Sequence, residues 1–83
     1  MGHARPRPKR LAEKLLQIRT TLGLTQVKLA ERIGVLDYTV ISKFENNVNE
    51  PSLMTLLAYA RFANVRVEDL IDDDQDLGEK INN

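Results

Sequence analysis

Thr25-Gln26-Val27-Lys28-Leu29-Ala30-Glu31-Arg32-Ile33-Gly34, followed by Val35-Leu36-Asp37-Tyr38-Thr39-Val40-Ile41-Ser42-Lys43-Phe44-Glu45-Asn46, is the stretch on which the fold turns. Thr25 is a good N-cap, because its side-chain oxygen can accept one of the backbone N–H groups that a helix start leaves unpaired. Val27, Leu29, Ala30 and Ile33 then recur at helical spacing, and Gly34 ends the run. This helix is barely two turns long. Asp37 can cap the next one, in which Ile41 and Phe44 at i, i+3 face inward while Tyr38, Thr39, Ser42 and Lys43 lie mostly elsewhere on the cylinder.

Upstream, Leu11, Leu15, Ile18 and Leu22 form one stripe of an amphipathic helix that starts near Lys9 and stops at Gly23. Downstream, Asn46, Asn47 and Asn49 make a polar loop up to Pro51. Ser52 caps a fourth helix carrying Leu53, Leu56, Leu57, Ala60 and Ala63, and Asn64 stands as a left-handed residue after its end. Val65 and Val67 are expected to re-enter the core before a last short helix through Glu68, Leu70 and Ile71. Four acids among Asp72 to Asp76 are expected to end regular packing. The pattern divides the chain into a flexible basic arm (1–8), a helical domain (9–71) and an acidic tail (72–83). No strand-like alternation of useful length appears, so the expected fold is all-α.

Composition narrows the function. With 83 residues and 42% apolar content the chain is one domain, too small for a two-lobed catalytic cleft. It has no Cys, and its single His3 sits in the arm, which leaves neither a metal-ligand set nor a nucleophile beside a base. Glu/Asp pairs occur without a partner in catalytic spacing, so no enzyme is expected. No apolar run approaches the roughly 18 residues that span a bilayer, and Met1-Gly2 is followed by Pro6 where a myristoylation signal needs Ser or Thr. A cytoplasmic protein with no membrane partner is the expectation. The 12 basic and 12 acidic residues cancel but are segregated: Met1 to Lys43 carries +6, and Phe44 onward −6. Such sorting can turn a positive face to a polyanion while the acidic end points away.

Four separated motifs carry a resemblance over residues 11 to 71. They are Gly23 to Val35, Ile41-Ser42-Lys43-Phe44-Glu45-Asn46, Glu50-Pro51-Ser52-Leu53-Met54-Thr55-Leu56-Leu57, and Asn64-Val65-Arg66-Val67-Glu68-Asp69-Leu70-Ile71. Together they closely resemble the Cro/phage-repressor-like (Xre-type) helix-turn-helix family. The resemblance implies a compact five-helix, lambda-repressor-like domain with the helix-turn-helix at helices 2 and 3. It further implies double-stranded DNA as partner, a recognition helix (about 37–46) in the major groove and a homodimer. No cofactor is expected, and no small-molecule ligand is evident in the sequence. Arg19 and Glu45 correspond by resemblance to an internal ion pair that fixes the recognition helix to the scaffold. The turn before that helix is one residue longer than in most relatives. Anchoring on Ile41 and Phe44 puts the extra residue near Leu36.

In that register Gln26 is placed to meet a phosphate at a helix N-terminus. Asp37 caps the helix or accepts from a cytosine amino group, Tyr38 and Thr39 in the first turn point into the groove, with Tyr38 suited to a phosphate or a sugar, Ser42 and Lys43 follow one turn later, and Asn46 reaches a flanking phosphate. Lys43 suits guanine O6/N7 and Thr39 a thymine methyl or a base edge. Alternatives stay open: Tyr38 as a half-buried ring over the long turn, Lys43 as a phosphate contact without sequence information, Gln26 as a plain surface residue. Arg10, with Arg5, Arg7 and Lys9, would add arm contacts to phosphate or a minor groove, unless the arm is only a solubilising terminus. Two functions compete. One is a sequence-specific transcriptional regulator, dimerising through exposed apolar positions such as Val65, Val67, Leu70 and Ile71 together with Leu77 and Ile81, unless the first four, or some of them, close the core of the single copy. The other is a protein-binding adaptor or antitoxin-type module that uses the acidic tail.

Overall fold

The computed structural model describes residues 7–81, and within them every regular element is helical. The order is α1 (Leu11–Thr21), α2 (Gln26–Ile33), α3 (Tyr38–Glu45), α4 (Leu53–Ala63) and α5 (Val67–Ile71). No helix among these residues is long and apolar enough to cross a membrane. Residues 1–6 of the expected arm, Arg5 and His3 among them, and Asn82-Asn83 of the expected tail lie outside the described residues.

Local chemistry sets most boundaries. Thr25 accepts from Lys28 N at 3.1 Å, Asp37 from Thr39 N at 2.8 Å and Ser52 from Thr55 N at 3.2 Å, so each of α2, α3 and α4 begins on a side-chain cap. Gly34 (φ 77°) and Asn64 (φ 60°) end α2 and α4 in the left-handed region, which glycine and asparagine tolerate best. One core gathers Leu11, Leu15 and Ile18 of α1, Leu29 and Ala30 of α2, Ile41 and Phe44 of α3, Leu56, Tyr59, Ala60 and Ala63 of α4, and Leu70 of α5. Two residues expected inside stand out instead: Val27 is 49% exposed and Leu53 is largely exposed. In the two-turn α2 the apolar face is narrow, and Val27 can hang over its edge without breaking the spacing, whereas Leu53 is the first residue of the longer α4.

The acidic segment does not end packing. Leu77 is 1% exposed and belongs to the core, and Ile81 packs against it. Asp73 accepts from Lys9 N at 2.9 Å and Arg10 N at 3.0 Å, so it caps α1 from 63 residues away. These are the two amides that lead into α1, whose N-cap residue Arg10 makes no side-chain cap of its own. The Arg10 guanidinium donates to Asp76 Oδ1 at 2.6 Å and to Asp73 O at 2.9 Å, with Glu13 at 3.5 Å. Lys14, fully buried, donates through Nζ to Asp69 O and Asp72 O, both at 2.8 Å. Burial holds its ammonium below the ordinary lysine value. Lys80 Nζ in turn meets Asp69 Oδ1 at 3.0 Å. The residues from Asp72 to Leu77 are thus a strap clasping the start of α1, and the acidic end folds back on the basic end instead of pointing away.

The dimer surface expected from sequence is corrected in the same way. Leu70 and Leu77 are core residues, and Val65, Val67 and Ile81 are partly buried against the core, which leaves Ile71 with appreciable exposure.

The clasp carries a pH signature. Backbone N–H donation from Lys9 and Arg10 holds the Asp73 carboxyl below its ordinary value of 3.8, and the Arg10 guanidinium does the same for Asp76. Donation from Arg66 N and Lys80 does so for Asp69. A depressed carboxylate pKa means the unfolded chain binds more protons, so this stabilisation is present above 3.8 and is lost as pH falls through the lower folded values. Melting temperature should therefore drop steeply below about pH 4, and Asp73→Asn should show a shallower drop over the same range.

Candidate nucleic-acid interface

Helix α3 is held by one side and offers the other. Ile41 and Phe44 are buried and Val40 is partly so, whereas Thr39, Lys43 and Asn46 are exposed and Ser42 is half-buried. Positions 39, 42, 43 and 46 follow i, i+3, i+4, i+7 spacing and form one outward stripe. Tyr38, 51% exposed, flanks it at the leading end. Asp37 accepts from both the amide and the hydroxyl of Thr39, which holds its carboxyl below the ordinary value and commits it to the cap. Asn46 folds back, its Nδ2 donating to Ser42 O at 2.8 Å and Ser42 Oγ at 3.2 Å.

What fixes the angle of α3 is an ion pair at its far end. Arg19 Nε donates to Glu45 Oε2 at 2.7 Å and Arg19 Nη2 to Glu45 Oε1 at 3.0 Å, a bidentate fork that raises the guanidinium's pKa. The carboxylate is only 4% exposed. Arg19 Nη1 also donates to Leu24 O at 3.0 Å, so one side chain ties α1, the turn after it and α3 together. Tyr59 of α4 packs edge-on against Phe44, with ring centroids 6.4 Å apart. Its buried hydroxyl has no hydrogen-bond partner among the described residues, and burial pushes its pKa upward.

Gln26 belongs to this network, which sequence reasoning missed. Its Nε2 donates to Glu45 Oε1 at 3.1 Å, so the first residue of α2 is oriented by the last residue of α3. The amide has a second N–H, and it stands where the first-turn N–H groups of α2 lack intrahelical acceptors. No local spacing signals a contact 19 residues apart. Gln26, Tyr38, Thr39, Ser42, Lys43 and Asn46 thus all sit on the α2–α3 unit. Arg10 stands apart, its donors spent on Asp73 and Asp76. Arg7, another of the arm cations, donates to Asn47 Oδ1 at 3.2 Å and lies 3.5 Å from Glu50, beside the loop that follows α3.

Comparison with known proteins agrees with this geometry. The chain is 41% identical over 59 residues to the antitoxin HigA1 of Mycobacterium tuberculosis, covering 71% of this chain and 39% of that protein. It is 39% identical over 59 residues to the HTH-type transcriptional activator BcrR of Enterococcus faecalis, covering 71% of this chain and 28% of the activator. An uncharacterized HTH-type transcriptional regulator of Archaeoglobus fulgidus is 37% identical over 65 residues, covering 77% of this chain and 91% of its own length. The chain therefore spans well under half of the first two relatives and most of the third. Among solved structures, the P22 c2 repressor bound to a synthetic operator superposes with a TM-score of 0.71 at 26% identity, covering 77% of this chain and 96% of the repressor. The N-terminal DNA-binding domain of SinR from Bacillus subtilis also gives a TM-score of 0.71 at 26% identity, covering 81% of this chain and 97% of that domain. Residues 15–70 match the family described as Helix-turn-helix. With its motifs, its five helices and the α2–α3 unit all in agreement, the chain belongs to the Cro/phage-repressor-like (Xre-type) helix-turn-helix family.

Proposed function

We propose that the chain is a sequence-specific DNA-binding transcriptional regulator that places α3 in the major groove of duplex DNA and binds as a homodimer. The observation that carries this reading is the outward stripe Thr39, Ser42, Lys43 and Asn46 on a helix anchored from behind by Ile41, Phe44 and the Arg19–Glu45 fork. In this reading Gln26, steadied by Glu45, gives its second amide proton to a phosphate, while Tyr38, Thr39, Ser42 and Lys43 face base edges. The apolar contact between copies would draw on Leu53, Met54 and Ile71, which are the exposed apolar side chains of α4 and α5. Selection of bound fragments from random duplex DNA at two salt concentrations tests the whole: a palindromic consensus supports specificity and two-fold symmetry, and recovery of no consensus at either salt refutes the reading.

The two kinds of contact separate by mutation. Gln26→Ala should weaken binding about equally on every duplex, as loss of a phosphate contact does. Lys43→Ala should relax preference at one operator position, by about 1 to 3 kcal/mol if the lysine reads guanine. Equal responses of both variants across an operator panel would abolish the division between positioning and reading.

The similarity to HigA1 favours a second reading, in which the same DNA-binding unit serves an antitoxin-type protein. A version that recruits the partner through the acidic tail is less favoured, because Asp73 and Asp76 are already engaged with Arg10.

A further inference from the structure

The longer turn before α3 exposes an apolar cluster of which the roles above use only Tyr38. Leu36 is 90% exposed, the most exposed large apolar side chain described, and Val27 and Tyr38 are each about half exposed. All three line one open hollow of about 220 Å³ between α2 and the turn, with Val35 in its wall. Asp37 and Tyr38, the cap and first residue of α3, line the same hollow, so it opens beside the start of α3. Of its two acidic neighbours Asp37 caps α3, and Glu31 is exposed with its carboxylate 4.0 Å from Lys28 Nζ. Exposed Lys28 stands next to Val27 in the sequence of α2 and exposed Lys43 lies on α3, as suits an approach of the α2–α3 unit to a polyanion.

An apolar surface facing a major groove meets one apolar group on the base edges, the C5-methyl of thymine. Resting on the DNA-binding reading above, we infer that Leu36, with Val27 and Tyr38, is a specificity-determining contact for thymine methyl groups at the operator positions facing the start of α3. The residue that lengthens the turn thereby adds a reading element instead of merely slackening the loop.

The test starts from the operator selected above. Each thymine is replaced singly by deoxyuridine, which lacks only the methyl, and binding is measured by fluorescence anisotropy for the wild type and for Leu36→Ser. At one or two thymines the wild type should lose about three- to fivefold in affinity per methyl, and Leu36→Ser should show little further loss at those positions. Leu36 is exposed, so the variant should melt with the wild type, and melting is checked in parallel. Equal uracil responses in the two chains would overturn the inference while leaving the DNA-binding reading intact. A change in sedimentation behaviour without a change in uracil response would assign the cluster to a protein contact and overturn it equally. Failure to select any operator would overturn both.

Discussion

Truncation after Ile71 is expected to remove most of the domain's stability. Leu77 is 1% exposed in the common core, and shortening such a side chain to alanine alone costs about 2 to 5 kcal/mol through lost transfer energy and the cavity left behind. The same cut removes the Asp73 carboxylate that caps α1 and the Asp72 carbonyl that receives the buried Lys14 ammonium. A small domain has only about 5 to 15 kcal/mol to lose. Urea denaturation followed by circular dichroism should therefore show Leu77→Ala shifted well to lower urea, and the truncated chain with little or no cooperative transition. A truncated chain that melts with the full one would make residues 72–81 an appendage and restore the domain end expected at 71.

The second large effect lies at the anchor of α3. Glu45→Ala leaves the Arg19 guanidinium without its fork and should destabilise by about 3 kcal/mol, since the cost of breaking a largely buried pair is the uncompensated charge that remains. Removing both partners should cost less than the sum of the single changes, and the difference is their coupling. Glu45 also orients Gln26, so any residual DNA binding by the folded variant should fall on all duplexes alike. A loss below about 1 kcal/mol would place the pair with solvent-screened surface bridges.

The contrast between what could and could not be read in advance follows sequence distance. Thr25, Asp37 and Ser52 were legible as caps because each acts on an amide two or three residues on, and Asn64 because the left-handed turn it makes needs no partner. The inward pair Ile41 and Phe44 was legible from spacing, and with it the outward position of Thr39 and Lys43. Lys14 was not: a charged residue beside an apolar stripe reads as solvated unless the carbonyls of Asp69 and Asp72, more than fifty residues later, are known to wait for it. The Asp73 cap and the Gln26–Glu45 bond failed to show for the same reason. The opposite charge of the two halves did contain the clasp, but charge sums say nothing of who meets whom. The Arg19–Glu45 pair came from family resemblance, because 26 residues of separation hide it from any periodicity.

The strap has a kinetic consequence. Helix α3 packs on α1 and α2, and α4 on α2 and α5, whereas the bonds of Asp73 and Asp76 to Lys9 and Arg10 join points more than sixty residues apart, a loop whose closure is entropically costly until the helices already hold its ends together. Such a contact is expected to form late on the way to the native state, so weakening it should hasten unfolding and leave the rate of folding nearly unchanged.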